Sequence, residues 1–150
     1  MFPVLKKVVD LTDANQIKLL IDDLVLQYGG ADILISNAGT APQAALLEID
    51  EDTLRQSFEI NFFTHFHLAQ EIGRLFVRQG IKGQMLFNIS KQAINPGHDF
   101  GAYGLPKATL MFLVKQLALE LGKNGVRVNG VNADRIRSGI LNEELINTRA

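Results

Sequence analysis

The sequence predicts an α/β fold in which a parallel sheet is covered by helices within one domain, residues 1–150. Three observations carry this expectation. Short, β-branched apolar runs alternate with longer segments of helical periodicity. The runs are apolar at successive positions rather than alternate ones, as in strands covered on both faces. And 150 residues, 47% hydrophobic and 21% charged, are enough to build one core without a disulfide or structural metal. No repeat, low-complexity stretch or Pro/Gly/Ser-rich linker divides the chain.

The elements follow in order. Residues 4–10 read as a first strand, short and rich in valine. Thr12 and Asp13 can cap a helix whose Ile17, Leu20, Ile21, Leu24 and Val25 form one apolar stripe, and Gly29-Gly30 stops it. A second strand over 32–36 closes on the turn Asn37-Ala38-Gly39. The long helix over 51–79 should turn Leu54, Phe58, Phe62, Phe66, Ala69 and Ile72 to the core. Glu48, Asp50, Glu51 and Asp52 gather at its start, where the helix dipole favours negative charge. A third strand over 84–89, a polar loop with Pro96-Gly97, a helix over 102–121, a fourth strand over 126–131 and a short helix over 142–149 complete the reading.

Composition excludes several classes of function. The net charge is −1 and there is no Cys, so cysteine metal sites and disulfides are ruled out and no basic field attracts nucleic acid. No apolar run reaches the roughly 18 residues of a membrane span, and the opening residues lack the order of a signal peptide. A cytoplasmic location is therefore expected, without membrane or nucleic-acid partners. Asn88-Ile89-Ser90 matches a glycosylation sequon but falls in a strand. His65 and His67, two apart on a helix, face different directions and read as structural or solvated, so no metal is expected. His98 reads as a loop residue. Phe58, Phe62, Phe63, Phe66 and Phe76 read as core and interface.

Chemistry enters with Tyr103 and Lys107, four apart and so on one helix face. A phenol near pKa 10 accepts a proton poorly at neutral pH, and a neighbouring ammonium is expected to lower it. Ser90 stands at the C-terminal end of a strand, where open α/β sheets place ligands, and Asn37-Ala38-Gly39 ends another strand at the same edge. Asn61 lies between Ile60 and Phe62 in an apolar helical stretch, where a buried amide needs partners.

Together, the Asn-Ala-Gly turn, the strand-end Ser, Tyr-x-x-x-Lys and the run Arg127-Val128-Asn129-Gly130-Val131-Asn132 resemble the short-chain dehydrogenase/reductase family from about Val8 to Ile140. Phe87 to Ala93, Asn95-Pro96-Gly97, Tyr103-Gly104-Leu105-Pro106-Lys107 and Asn132 to Gly139 look like the dehydrogenase part of bifunctional aldolase/short-chain dehydrogenases, some of which act on lactaldehyde. The resemblance implies a Rossmann-like, doubly wound α/β/α sandwich of three layers, with strands 3 to 6 of the family present. It implies an oxidoreductase using NAD or NADP on a small alcohol or carbonyl compound, lactaldehyde-like or derived from a sugar.

The roles it implies are specific. Tyr103 is the acid/base, Lys107 lowers its pKa and binds the nicotinamide ribose, Ser90 holds the substrate oxygen and Asn61 holds a water behind the lysine. Asp10 and Leu11 match positions beside the adenine, and Asn37, Ala38 and Gly39 those lining the adenosine. Counting from Asn88 puts Lys91 where the family has its second Ser, whereas counting back from Tyr103 selects Ser90; its hydroxyl favours Ser90. Ala133-Asp134 stands where the family commonly has Pro-Gly.

No segment fits G-x-G-x-x-G or the family's looser Gly-rich pattern, so the pyrophosphate anchor is missing and the domain reads as truncated. The strand over 32–36 should then expose an edge, and residues 4–9 should be misplaced beside it, disordered or held by a partner. A homo-oligomer is expected through the two long helices, with Phe63, Leu68, Met111 and Leu113 as candidate contacts, and an aldolase part as a fused or separate partner. The alternative is a catalytically silent fragment serving as an oligomerisation module.

Overall fold

The computed structural model describes residues 4–134; the helix expected over 142–149 and the motif residues 135–139 lie outside the described residues. The chain runs through α1 (Ala14–Tyr28), β1 (Ile33–Ser36), α2 (Glu51–Phe58), a π-helical turn (Glu59–Phe63), α3 (Thr64–Gln79), β2 (Gln84–Asn88), a 3-10 turn (Lys91–Ala93), α4 (Gly101–Leu121) and β3 (Arg127–Val131). Local chemistry sets the ends. The Asp13 carboxylate accepts from the amides of Asn15 and Gln16 to start α1, and Asp50 accepts from the Thr53 amide to start α2. Gly29 and Gly80 end α1 and α3 at φ 80° and 65°, where any other residue would be strained.

The three strands lie in the order β1-β2-β3 and all pair in parallel. Register places Leu34 beside Met85 beside Val128, and Ser36 beside Phe87 beside Gly130. This row faces the helices. Met85 and Phe87 are sealed there by Ile17 and Ile21 of α1, Ile72 and Phe76 of α3, and Leu110 and Val114 of α4. The Rossmann-like α/β class and the parallel sheet are those expected.

Three details differ. Residues 4–10 form no strand, and Val4 and Val8 are exposed. A strand needs an adjoining edge, and in the doubly wound order 3-2-1-4-5-6 two strands separate this segment's place from that of β1. Instead Lys7 pairs with Asp23 of α1, and Leu5, Val9 and Leu11 line an open groove against Leu20, Leu24 and Tyr28.

The second difference concerns layers. Among the described residues α1, α3 and α4 join one core on one face of the sheet, while Ile33 and Ile35 on the other face stay 62% and 68% exposed. Handedness explains it. Parallel crossovers are right-handed, and β1, β2 and β3 advance in one direction, so α3 and α4 fall on the same side.

The third lies in the long helix, where Phe58, Phe62 and Phe66 are only half-buried and the inward positions are Ser57, Asn61, Thr64 and His65. The π-helical turn adds a residue to the coil and rotates the face presented to the core. The displaced aromatics pack on each other, Phe62 lying 5.1 Å from Phe63 and 6.2 Å from Phe66 between ring centres. Beyond the turn, Ala69 and Ile72 are buried as expected.

Candidate active site

The C-terminal ends of β1 and β2 meet the first turns of α4 and the π-helical turn. Asn37 follows β1, and its Oδ1 accepts from Asn88 Nδ2 at 2.8 Å, tying the two strand ends together. The Asn88 carbonyl accepts from Lys107 Nζ at 2.9 Å, which brings the lysine of α4 under the same edge. Lys107 is buried, and burial lowers its pKa to about 8.

Tyr103 lies one helical turn earlier, with Lys107 Nζ 5.7 Å from its ring centre. Ser90 hydrogen-bonds the phenol, which favours the phenolate, but burial opposes it more strongly and raises the phenol pKa above its ordinary value. The lowering expected from Lys107 is therefore not what this structure has. The ammonium donates to the Asn88 carbonyl, and burial is the larger influence at the phenol.

The Ser90 Oγ also accepts from the Gln92 amide at 3.2 Å, fixing the loop that carries it. Lys91 turns elsewhere. Its amide donates to the Ala133 carbonyl at 2.8 Å and its ammonium pairs with Asp134 at 2.9 Å. Of the two residues competing for the serine position, Ser90 is the one whose hydroxyl acts on the Tyr103 phenol, while Lys91 pairs with Asp134.

Asn61 is fully buried; its Oδ1 accepts from the Thr40 amide at 3.1 Å and its Nδ2 donates to Ser57 Oγ at 3.0 Å. Gly39 fits closely here. A Cβ on it would stand 3.0 Å from Asn61 Oδ1 and 3.7 Å from Lys107 Nζ, so a side chain would press into the contact between turn, amide and ammonium. Ala38 and Gly39 are exposed on their outer side.

His65 sits beneath this edge, completely buried, with Nδ1 2.7 Å from Ser36 Oγ. Burial foremost, and then the charge on Lys107, lower its pKa to about 4. His65 is thus a neutral structural group, while His67 stacks with Phe63 and His98 stands in solvent against Asp99. The remaining expected positions, Asp10 and Leu11, precede α1. Asp10 bonds to Thr12, Asp13 and Gln16, and the Thr12 hydroxyl and amide hold its carboxyl below the usual range. Leu11 is half-buried against the core. No hydrogen bond ties either of them to Asn37, Asn61, Tyr103 or Lys107.

Sequence reasoning missed Ser57, Thr40 and the Asn88 carbonyl. Ser57 alone left a signal, a small polar residue one turn before Asn61 in an apolar helix. Among the described residues no group of three or more His, Asp or Glu could hold a metal, and no helix is long and apolar enough to cross a membrane.

The family model for short chain dehydrogenases matches residues 3–147, and the chain belongs to that family. It is 33% identical over 133 residues to (+)-borneol dehydrogenase 1 of Salvia officinalis, covering 87% of this chain and 51% of that protein. It is 32% identical over 131 residues to L-2,3-butanediol dehydrogenase of Corynebacterium glutamicum, again 87% and 51%. The solved structure of 4-hydroxyisoleucine dehydrogenase complexed with NADH superposes with a TM-score of 0.82 at 29% identity, covering 87% of this chain and 58% of that one. The chain spans about half the length of the curated relatives it matches.

Proposed function

We propose that the chain provides the catalytic half of a nicotinamide-dependent oxidoreductase acting on a small alcohol or the corresponding carbonyl compound. The observation that carries this reading is the buried Lys107 ammonium, 5.7 Å from the Tyr103 ring centre and bonded to the Asn88 carbonyl at the strand end that leads to Ser90. Relatives that dehydrogenate borneol and 2,3-butanediol support a secondary alcohol as the substrate class. The sequence runs shared with aldolase-linked dehydrogenases support a lactaldehyde-like or sugar-derived substrate and an aldolase part as partner.

The residues present fit the nicotinamide end of NAD or NADP. Lys107 offers ammonium donors suited to ribose hydroxyls, and the exposed backbone of Ala38 and Gly39 borders the same edge. The bound cofactor would supply the acceptor or donor of hydride. Ser90 would hold the substrate oxygen. Tyr103, a neutral phenol in this structure, is the form that gives a proton to a carbonyl oxygen in reduction; in alcohol oxidation it would take that proton back. Asn61 would anchor the turn beside Lys107. Copies of the chain would associate through the outer faces of α3 and α4. Phe63, in the π-helical turn just before α3, is exposed, but Leu68, Met111 and Leu113 lean on the core, and Phe112 and Leu119 of α4 stand out in their place.

The test is Tyr103→Phe in a chain joined to the Gly-rich cofactor-binding segment of a family relative, with turnover of small secondary alcohols read by nicotinamide absorbance. Turnover should fall about 10²–10⁴-fold with cofactor binding nearly unchanged. Near-normal turnover would overturn the assignment.

A further inference from the structure

Pro106 lies inside α4, immediately before Lys107. Proline has no amide to give, so the carbonyl four residues back, that of Ala102, loses its helical donor. Ala102 is completely buried, and no solvent reaches in to replace that donor. Another element fills the gap: Ser57 of α2 donates its hydroxyl to the Ala102 carbonyl at 2.8 Å.

A hydroxyl has one proton and two lone pairs. With the proton directed to Ala102, Ser57 Oγ faces Asn61 as an acceptor and receives Nδ2 at 3.0 Å. That contact fixes which way the Asn61 amide lies. Its oxygen is left pointing to the Thr40 amide, 3.1 Å away, on the side where Gly39 and Lys107 Nζ approach.

We propose that Ser57 is a positioning residue that closes the backbone gap opened by Pro106 and, through the same oxygen, orients Asn61 toward the turn beside Lys107. The proposal rests on the reading of Asn61 and Lys107 as site residues. The consequence is a coupling between α2, α4 and the loop after β1 through one hydroxyl.

Hydrogen exchange at the Thr40 amide, referred to the amides of β2, tests it in Ser57→Ala, Ser57→Thr, Pro106→Ala and the double variant Ser57→Ala/Pro106→Ala. Ser57→Ala should speed exchange at Thr40 about tenfold relative to β2, whereas Ser57→Thr, which keeps the hydroxyl, should stay within about threefold of the parent chain. In the double variant the restored helix amide serves Ala102, so the thermal midpoint should recover while Thr40 stays fast. Unchanged exchange in Ser57→Ala, or recovery of Thr40 protection in the double variant, would overturn the proposal. If Ser57→Ala does not fold, the double variant decides by the same criterion. None of these readouts needs turnover, so a failed Tyr103→Phe test leaves the comparison standing.

Discussion

One face of the sheet carries Met85 and Phe87, sealed under three helices; the other carries Ile33 and Ile35, each more than half exposed. The strands themselves do not announce this difference. In Ile33-Leu34-Ile35 the residues turned to water are as apolar as the one turned inward, so the run alone suits burial on both faces. What separates the faces is the hand of the connections, a property of the path between strands.

Three substitutions or titrations sharpen that contrast. On the covered face, Phe87→Ala should lower the unfolding free energy by about 3–5 kcal/mol in a urea titration, because a fully buried ring leaves a cavity. A loss below about 1 kcal/mol would mean the helices do not seal this face.

The next largest effect is acid sensitivity from His65. Its folded pKa of about 4 lies below the ordinary 6.5, so the unfolded chain binds the extra proton between those values. Stability therefore falls as pH drops through that window, by about 3 kcal/mol in all. His65→Val should flatten this slope. Equal slopes in the two proteins would show that the buried imidazole is not responsible.

On the bare face the effect should be smallest. Ile35→Thr should change unfolding by less than about 0.5 kcal/mol in the same urea titration, because the side chain is already in water. A loss above about 1 kcal/mol would show that Ile35 is packed rather than solvated.

Much of this arrangement is legible from residues alone, and what is not has identifiable reasons. The caps at Asp13 and Asp50, the stops at Gly29 and Gly80, and the pairing of Tyr103 with Lys107 are local, decided within a turn or two of helix. Asn61 was visible because an amide among apolar neighbours demands partners. Residues 4–10 read as a strand because their composition suits one, but pairing depends on an edge that composition does not supply. The aromatic stripe of the long helix misled for a related reason: periodicity counts residues, and the π-helical turn changes the count. Ser57 stayed hidden because its partner is a missing amide in another helix, a vacancy that no motif marks.

The Lys91–Asp134 contact merges what looked like two separate oddities. Counted from Asn88, Lys91 falls in the register of the family's second serine, and Asp134 falls where a glycine is common; here the two pair across adjoining loops. An exposed ion pair of this kind adds little to stability. It does make the two positions a matched set: a loop grafted from a relative on one side alone would bring a serine to meet Asp134, or a glycine to meet Lys91. Loops exchanged between this chain and a relative keep this contact only when both move together.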